Sequence, residues 1–489
     1  MSESLTIKTL HGLKWSYIST ITTAIMQIGY TAVMARLLNP SDFGLVAMGG
    51  VVLRFGSYFA QMGMGSAIIQ KKDLTKGQIS AAFTSSILLG LLFTILTFIL
   101  APLSNFIFKN QDVIPIIRLM GLSFFINGFS LTALSLIRRE LKFKSLAIAE
   151  IVSFIIGYLI IGIGSAFLGL GVWSLIFASL SQSILLSIFT FFIIRHELSL
   201  SFSWIDYKPL FSFGSKVSLI SFLEFIGSSL DTILIGRYFG DIKLGFYNRA
   251  QMLINLPMQY FTTSFSRVLF PSFSQIQEDN ERIKKNLFLI LQIAASVLFP
   301  FAIFVSIFSK EIVYVILGNK WMESAVLLRV LAFAAAIDLL EHFIAVLFEA
   351  KGLLKEKIFV QSLFIVVLAV SFYLVLPYGV LGFAFALLFL QIFRLSQYFL
   401  YFLSRFDVKL AELVKNFFPS ILTSLLVLGV LLPLHHFIFL ISKNYYWILA
   451  ICIFISAIVY PAILMLKFNT EIKDKLKSIL LVIRPSKNS

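Results

Sequence analysis

Four rows of polar side chains carry the chemistry open to this sequence. Arg54, Tyr58 and Gln61 share one face of an apolar stretch, and a shift of 201 residues lands on Asn255, Gln259 and Thr262 of another. Lys216, Glu224, Gly227 and Asp231 fall within about 80° of helical arc, as do Ser16, Thr20, Thr23, Gln27 and Thr31. In hydrocarbon such side chains are costly unless they face protein or water, so each row marks a wet or packed helix face. A Ser/Thr row alone is equally the material of helix packing. The coincidence of four favours a shared polar cavity walled by four helices. Arg54 lies about halfway along its helix, too deep for its guanidinium to reach the interface easily, which makes it a functional candidate by default.

A fifth row is acidic: Asp338, Glu341, His342, Ala345 and Glu349 recur at i, i+3, i+4, i+7 and i+11. It has two readings, an interhelical ion-pair face, for instance to Arg394, or a protonatable track. Glu224 and Asp231 carry the same pair of readings: neutralising Lys216 or Arg54, or binding a coupling ion.

Bond-making chemistry has little support. The chain lacks G-x-x-x-x-G-K-[ST], G-x-S-x-G and H-E-x-x-H. One cysteine, Cys452, and five histidines, scattered but for His435-His436, speak against disulfides, iron–sulfur clusters and metal catalysis. No cofactor and no enzymatic activity are expected. A membrane polymerase or ligase acting on lipid-linked glycans is the enzyme alternative, and the want of a long outer loop counts against it.

These rows must be positioned by membrane helices. Of 489 residues 59% are hydrophobic and 13% charged, and apolar runs long enough to cross about 30 Å of hydrocarbon recur throughout. Fourteen helices are predicted, near 12–36, 43–69, 79–108, 113–136, 145–167, 172–194, 210–235, 246–270, 284–308, 323–349, 358–376, 379–403, 413–436 and 445–466. The first replaces a signal peptide, whose basic-then-apolar order is missing. With the N-terminus inside, cytoplasmic segments hold roughly three times the Lys and Arg of outer ones, which fixes the orientation with both termini cytoplasmic. The net charge of +16 then serves topology and anionic membrane lipids, and nucleic acid has no place.

The turn "ARLLNPSDFGL" at 35–45 returns as "GRYFGDIKLGF" at 236–246, with Arg36 against Arg237 and Gly44 against Gly245, each 201 positions apart. Six helices separate the copies, so both enter the membrane in the same direction, as parallel repeats. The expected fold is an all-α polytopic membrane protein: two six-helix lobes at 1–194 and 210–403 related by a pseudo-two-fold, a cytoplasmic linker at 195–209, two more helices within 404–466, and a basic tail at 467–489.

"ARLLNPSDFGLVAM" at 35–48, "MGMGSAIIQKKDLT" at 62–75, "LIRRELKFKSLAIAE" at 136–150, "GLGVWSL" at 169–175, "LDTILIGRYFGDIKLGFYNRA" at 230–250 and "VLFPSFSQIQED" at 268–279 together resemble bacterial polysaccharide flippases. They are most similar to the colanic-acid and teichuronic-acid exporter branch of the multidrug/oligosaccharidyl-lipid/polysaccharide exporter superfamily. The resemblance implies a bacterial inner-membrane protein that moves undecaprenyl-diphosphate-linked oligosaccharide to the outer leaflet by alternating access, with a polysaccharide polymerase and glycosyltransferases as further partners. Arginine suits a diphosphate, being always charged and able to grip oxygens bidentately. The expected substrate site is Arg54, Tyr58, Gln61, Gln27, Thr23, Asn255, Gln259 and Lys216, with Glu224, Asp231, Asp338 and Glu341 as ion-coupling groups; Gly44, Gly245 and Pro271 are structural. A drug or cation antiporter of the same superfamily is the alternative, which Arg54 and the last two helices oppose.

Overall fold

A computed structural model describes the backbone of residues 2–464 apart from Met62, Lys72 and 196–202. Side chains are described over the same range except at 2–13, 204–206, 209–224, 260, 261, 263–268 and 271. Most of the expected linker, the basic tail, and the side chains of Lys216, Glu224 and Pro271 therefore lie outside the described residues.

The described residues are almost wholly helical. The chain runs α1 (Ser2–Leu37), α2 (Pro40–Gln61), α3 (Met64–Gln70), α4 (Lys76–Leu100), α5 (Ser104–Phe108), α6 (Val113–Arg139), α7 (Phe143–Phe154), α8 (Ile163–Phe167), α9 (Val172–Ile193) and α10 (Trp204–Gln275). It continues with α11 (Asn280–Ile307), α12 (Ser309–Ile316), α13 (Met322–Ala350), α14 (Leu354–Leu374), α15 (Gly379–Arg405), α16 (Leu410–Ile441) and α17 (Tyr445–Leu464). Among the described residues twelve helical spans are long and apolar enough to cross a membrane. The 72-residue α10 is broken at Gly240, whose φ of 79° is a conformation glycine adopts without a Cβ penalty. Its arms, 204–239 and 241–275, take the places of the seventh and eighth predicted helices. The protein is thus the polytopic all-α fold expected.

Three predicted helices are less regular than their hydropathy suggested, the one over 79–108 passing through a 3-10 turn at Ala101–Leu103 between α4 and α5. The stretch foreseen as one helix over 43–69 ends at Gln61, and Gly63 (φ 61°) opens the short α3. The stretch over 145–167 contains a π-helical segment, Ile155–Gly162, between α7 and α8. Within it a Cβ on Gly157 would come 2.7 Å from the Gln182 backbone nitrogen, so the glycine lets α9 approach closely. Hydropathy reports span length and is blind to such interruptions.

Residues cluster into two compact units, Met1–Asn248 and Arg249–Ser489. Inside the first, the two copies of the repeated turn meet. A Cβ on Gly44 would run into the Asp241 carbonyl, and one on Gly245 into the Pro40 carbonyl. Adding 201 to 44 and 40 gives 245 and 241, so the two close approaches are exchanged by the repeat itself. The reason for the twice-used turn is therefore physical: each copy supplies a glycine to the other's backbone. Side chains lock the junction, with Ser41 Oγ donating to Asp241, Asn110 Nδ2 donating to Asp241 Oδ1 at 3.3 Å, and Arg237 donating to the Phe106 and Ile107 carbonyls at the end of α5. The repeated arginines have parted ways, since Arg36 donates to the Ala32 carbonyl of its own helix.

Candidate functional site

In the first unit α2 and α6 enclose a polar cavity of about 170 Å³ lined by Leu53, Arg54, Ser57, Ala60 and Gln61 from α2 and Ser123, Phe124, Asn127, Gly128 and Leu131 from α6. Small residues bring these helices together, as they do wherever packing within a bilayer depends on close contact. A Cβ on Gly56 would lie 2.5 Å from the Phe124 ring, and one on Gly128 the same distance from the Ser86 carbonyl of α4. Arg54 lies about 21 Å along α2 from Pro40. Its side chain is exposed, and among the described residues it forms no salt bridge. The cavity thus presents a guanidinium beside two amides and two hydroxyls, which together can hold an anion and hydrogen-bond a neutral polar group.

The other expected site residues are distributed more widely. Tyr58 does not line this cavity; its half-buried ring packs against Phe225 with centroids 5.8 Å apart. Thr23 on α1 donates to its own helix, to the Ser19 carbonyl at 2.7 Å, while Gln27 is half-buried. Asp231 is buried and accepts from the Tyr247 hydroxyl at 2.8 Å and from the Thr232 backbone at 2.6 Å, tying the two arms of α10 across the Gly240 break. Asn255 and Gln259 are exposed on the second arm, in the other compact unit.

In the second unit the acidic row of α13 meets Arg394 of α15. Asp338 Oδ1 lies 2.6 Å from Arg394 Nη2, and Glu341 pairs with Nε. The guanidinium also donates to Gln391 at 2.9 Å and stacks over the Phe364 ring at 4.2 Å. Of the two readings of this row, the geometry displays the ion-pair face, and Glu349 extends it with a bridge to Lys357.

A model of the polysaccharide biosynthesis protein family matches residues 33–326. The chain belongs to that family. Among its relatives are the teichuronic acid biosynthesis protein TuaB of Bacillus subtilis, 25% identical over 482 residues, or 97% of this chain and 98% of that protein, and the lipopolysaccharide biosynthesis protein WzxC of Escherichia coli, 24% identical and covering 71% of each. The fold is shared with a solved structure of the lipid II flippase MurJ in an inward closed conformation, with a TM-score of 0.73 and 18% identity over 92% of this chain and 98% of that one. An inward-facing multidrug transporter of the MOP superfamily matches at a TM-score of 0.61 and 17% identity, over 80% and 98%.

In this family member, sequence reasoning overlooked Ser123 and Asn127, which face Arg54 across the cavity. Their signal was available: Ser123, Asn127 and Ser130 stand at i, i+4 and i+7 along α6, a sixth helix with a polar row. Glu150 was also overlooked; it accepts a 2.7 Å hydrogen bond from Ser19 of α1.

The contrast between two arginines is testable. Arg394 is half-buried and shared by two carboxylates, of which Glu341 is buried, so Arg394→Ala would leave Glu341 without its counter-charge. Breaking such a pair from one side costs about 3–5 kcal/mol. Thermal unfolding of detergent-purified Arg394→Ala should show a clearly lowered midpoint and reduced membrane yield, and Glu341→Ala the same. Wild-type stability in both would mean that the pair is not formed.

Proposed function

We propose that this chain is a flippase carrying undecaprenyl-diphosphate-linked oligosaccharide from the inner to the outer leaflet of the bacterial plasma membrane, by alternating access and without catalysing a covalent step. The observation that carries the reading is Arg54, a guanidinium on a membrane-spanning helix that forms no salt bridge among the described residues and lines a cavity of amides and hydroxyls. A diphosphate answers the charge, and sugars answer the neutral donors and acceptors. The teichuronic-acid and lipopolysaccharide biosynthesis names of its relatives and the lipid II flippase among its structural neighbours supply the substrate class. We further assign Gln27, Thr23, Lys216, Asn255 and Gln259 to the polar path of the sugar, and two six-helix lobes to 1–194 and 210–403. In the antiporter reading the cavity would favour cations, which the Arg54 guanidinium repels.

Deleting the gene should trap lipid-linked oligosaccharide on the inner leaflet and strip the corresponding glycan from the cell surface. Loss of the glycan without that intermediate would point to a polymerase or scaffold instead. The orientation is tested separately. Ser41→Cys and Lys355→Cys, each made after Cys452→Ala, should react with an impermeant maleimide from outside and only after permeabilisation, respectively, as the distribution of Lys and Arg requires. The opposite pattern would invert the proposed topology.

A further inference from the structure

Among the described residues three carboxylates are buried: Asp231, Glu311 and Glu341. Asp231 accepts from Tyr247 and Thr232, and Glu341 is paired with Arg394, whose charge cannot be given up in a protein. Glu311 is different. It is 1% exposed, its Oε1 lies 3.0 Å from His435 Nε2, and its Oε2 is buried with no hydrogen-bond partner among the described residues. Its partner is therefore the one side chain that ordinarily gains and loses a proton near neutrality.

The surroundings favour a proton over a metal ion. Phe308 meets the His435 ring edge-on at 5.2 Å, and Val427, Leu431, Ile448 and Cys452 complete a hydrocarbon cluster. Hard cations take about six oxygen ligands or more, whereas the buried side-chain oxygens without partners here are those of Glu311 and Ser309. Among the described residues no three metal-ligating side chains converge.

We propose that Glu311 and His435 together form a proton-binding site on the outer side of the membrane, and that this proton drives the cycle; the driving role rests on the flippase reading above. With Glu311 ionised and His435 neutral, the pair holds one uncompensated negative charge in an apolar cluster. One proton from the outer solution, entering through the imidazole, whose side chain is 25% exposed, is held between Nε2 and Oε1 and makes the pair neutral overall. Its release restores the carboxylate, and no other bond changes. Neutralisation fastens α16 to α12, whereas the bare charge draws water and loosens that contact. The ion would then act on the helix pair α16–α17, which stands outside the 201-residue repeat.

Other titratable groups near the pair are few. On the packed elements Lys310, Lys320, Glu323, Arg329, His436 and Lys443 are all exposed, where water and salt screen them. The Cys452 thiol is buried in the same cluster, against which Tyr445 and Tyr460 pack, and the Tyr314 ring lies on that of Tyr445 with centroids 4.8 Å apart.

The full chain in lipid nanodiscs, with ring-labelled histidine, gives five imidazole signals to follow by NMR as pH is varied. The His435 signal, assigned by its loss in His435→Gln, should titrate, and Glu311→Gln should displace its midpoint by about one pH unit or more. In proteoliposomes with an undecaprenyl-diphosphate oligosaccharide and an imposed pH gradient, wild type should be stimulated by the gradient. Glu311→Gln and His435→Gln should lose that stimulation. A His435 midpoint indifferent to Glu311→Gln overturns the proton site, and stimulation that survives in both variants overturns its driving role. Wild-type protein that moves none of this lipid overturns the transport reading and the driving role with it, while the NMR titration still decides the site. If Glu311→Gln inserts poorly, His435→Gln alone decides the transport arm.

Discussion

Cells whose only copy carries Arg54→Ala are expected to make little surface glycan and to accumulate lipid-linked oligosaccharide inside, at unchanged protein level. Hydrogen bonds to a charged group contribute about 1.5–3 kcal/mol, so losing even one from the diphosphate weakens headgroup binding at least about tenfold. Arg54→Lys keeps the charge and loses the planar fork, and Arg54→Glu repels the headgroup. The expected order of glycan production is wild type, Lys, Ala, Glu, and the trapped intermediate follows the reverse order. The structure adds a control. Arg54 forms no salt bridge among the described residues, so its removal orphans none of their carboxylates and should leave the unfolding midpoint near wild type, unlike Arg394→Ala. Gln61→Ala and Asn127→Ala, each removing one neutral hydrogen-bonding group from the same cavity, should cost less, about 0.5–1.5 kcal/mol apiece. An Arg54→Ala protein that inserts normally and exports at the wild-type rate would return Arg54 to packing.

Much of this was legible because membrane helices announce themselves. Hydrocarbon forces about 20 apolar residues per span, and a polar residue inside a span needs a reason; that is why the helices, the turn repeat and Arg54 could be read from one sequence. Which reason applies was harder to read. Asp338, Glu341 and Arg394 are as polar as Arg54 and equally periodic, yet α15 brings Arg394 onto both acids while among the described residues no carboxylate pairs with Arg54. Periodicity gives the face of one helix, and partner choice depends on which other helix packs there. Asn127 was missed for the same reason: its row on α6 gains meaning only once Gly56 and Phe124 show that α2 lies against it. Glu311 stood in a short segment between two spans, where a carboxylate draws no notice, and only its burial against α16 sets it apart.

The reciprocal glycines should produce the second large effect. With Gly44 against the Asp241 carbonyl and Gly245 against the Pro40 carbonyl, a methyl group at either position meets backbone rather than a side chain that could swing aside. Overpacking of this kind costs about 1–3 kcal/mol, enough to move an equilibrium between joined and parted turns by roughly 5- to 150-fold. Because the repeat exchanges the two contacts, Gly44→Ala and Gly245→Ala should act alike. Once one has parted the turns the other has little left to disturb, so the double variant should fall short of the sum, as neighbouring sites sharing one contact do. Spin labels at Asn39 and Lys243, both exposed and one on each turn, would report the separation directly. A narrow, short distance in wild type should lengthen in each single variant, and Ser41→Ala, which removes only a hydrogen bond to Asp241, should lengthen it less. If alternating access requires these turns to meet in one half of the cycle, glycan export should fall in step with the short-distance population. Unchanged distances in Gly44→Ala would show that the backbone at 241 yields, and export at the wild-type rate with parted turns would remove the junction from the transport cycle.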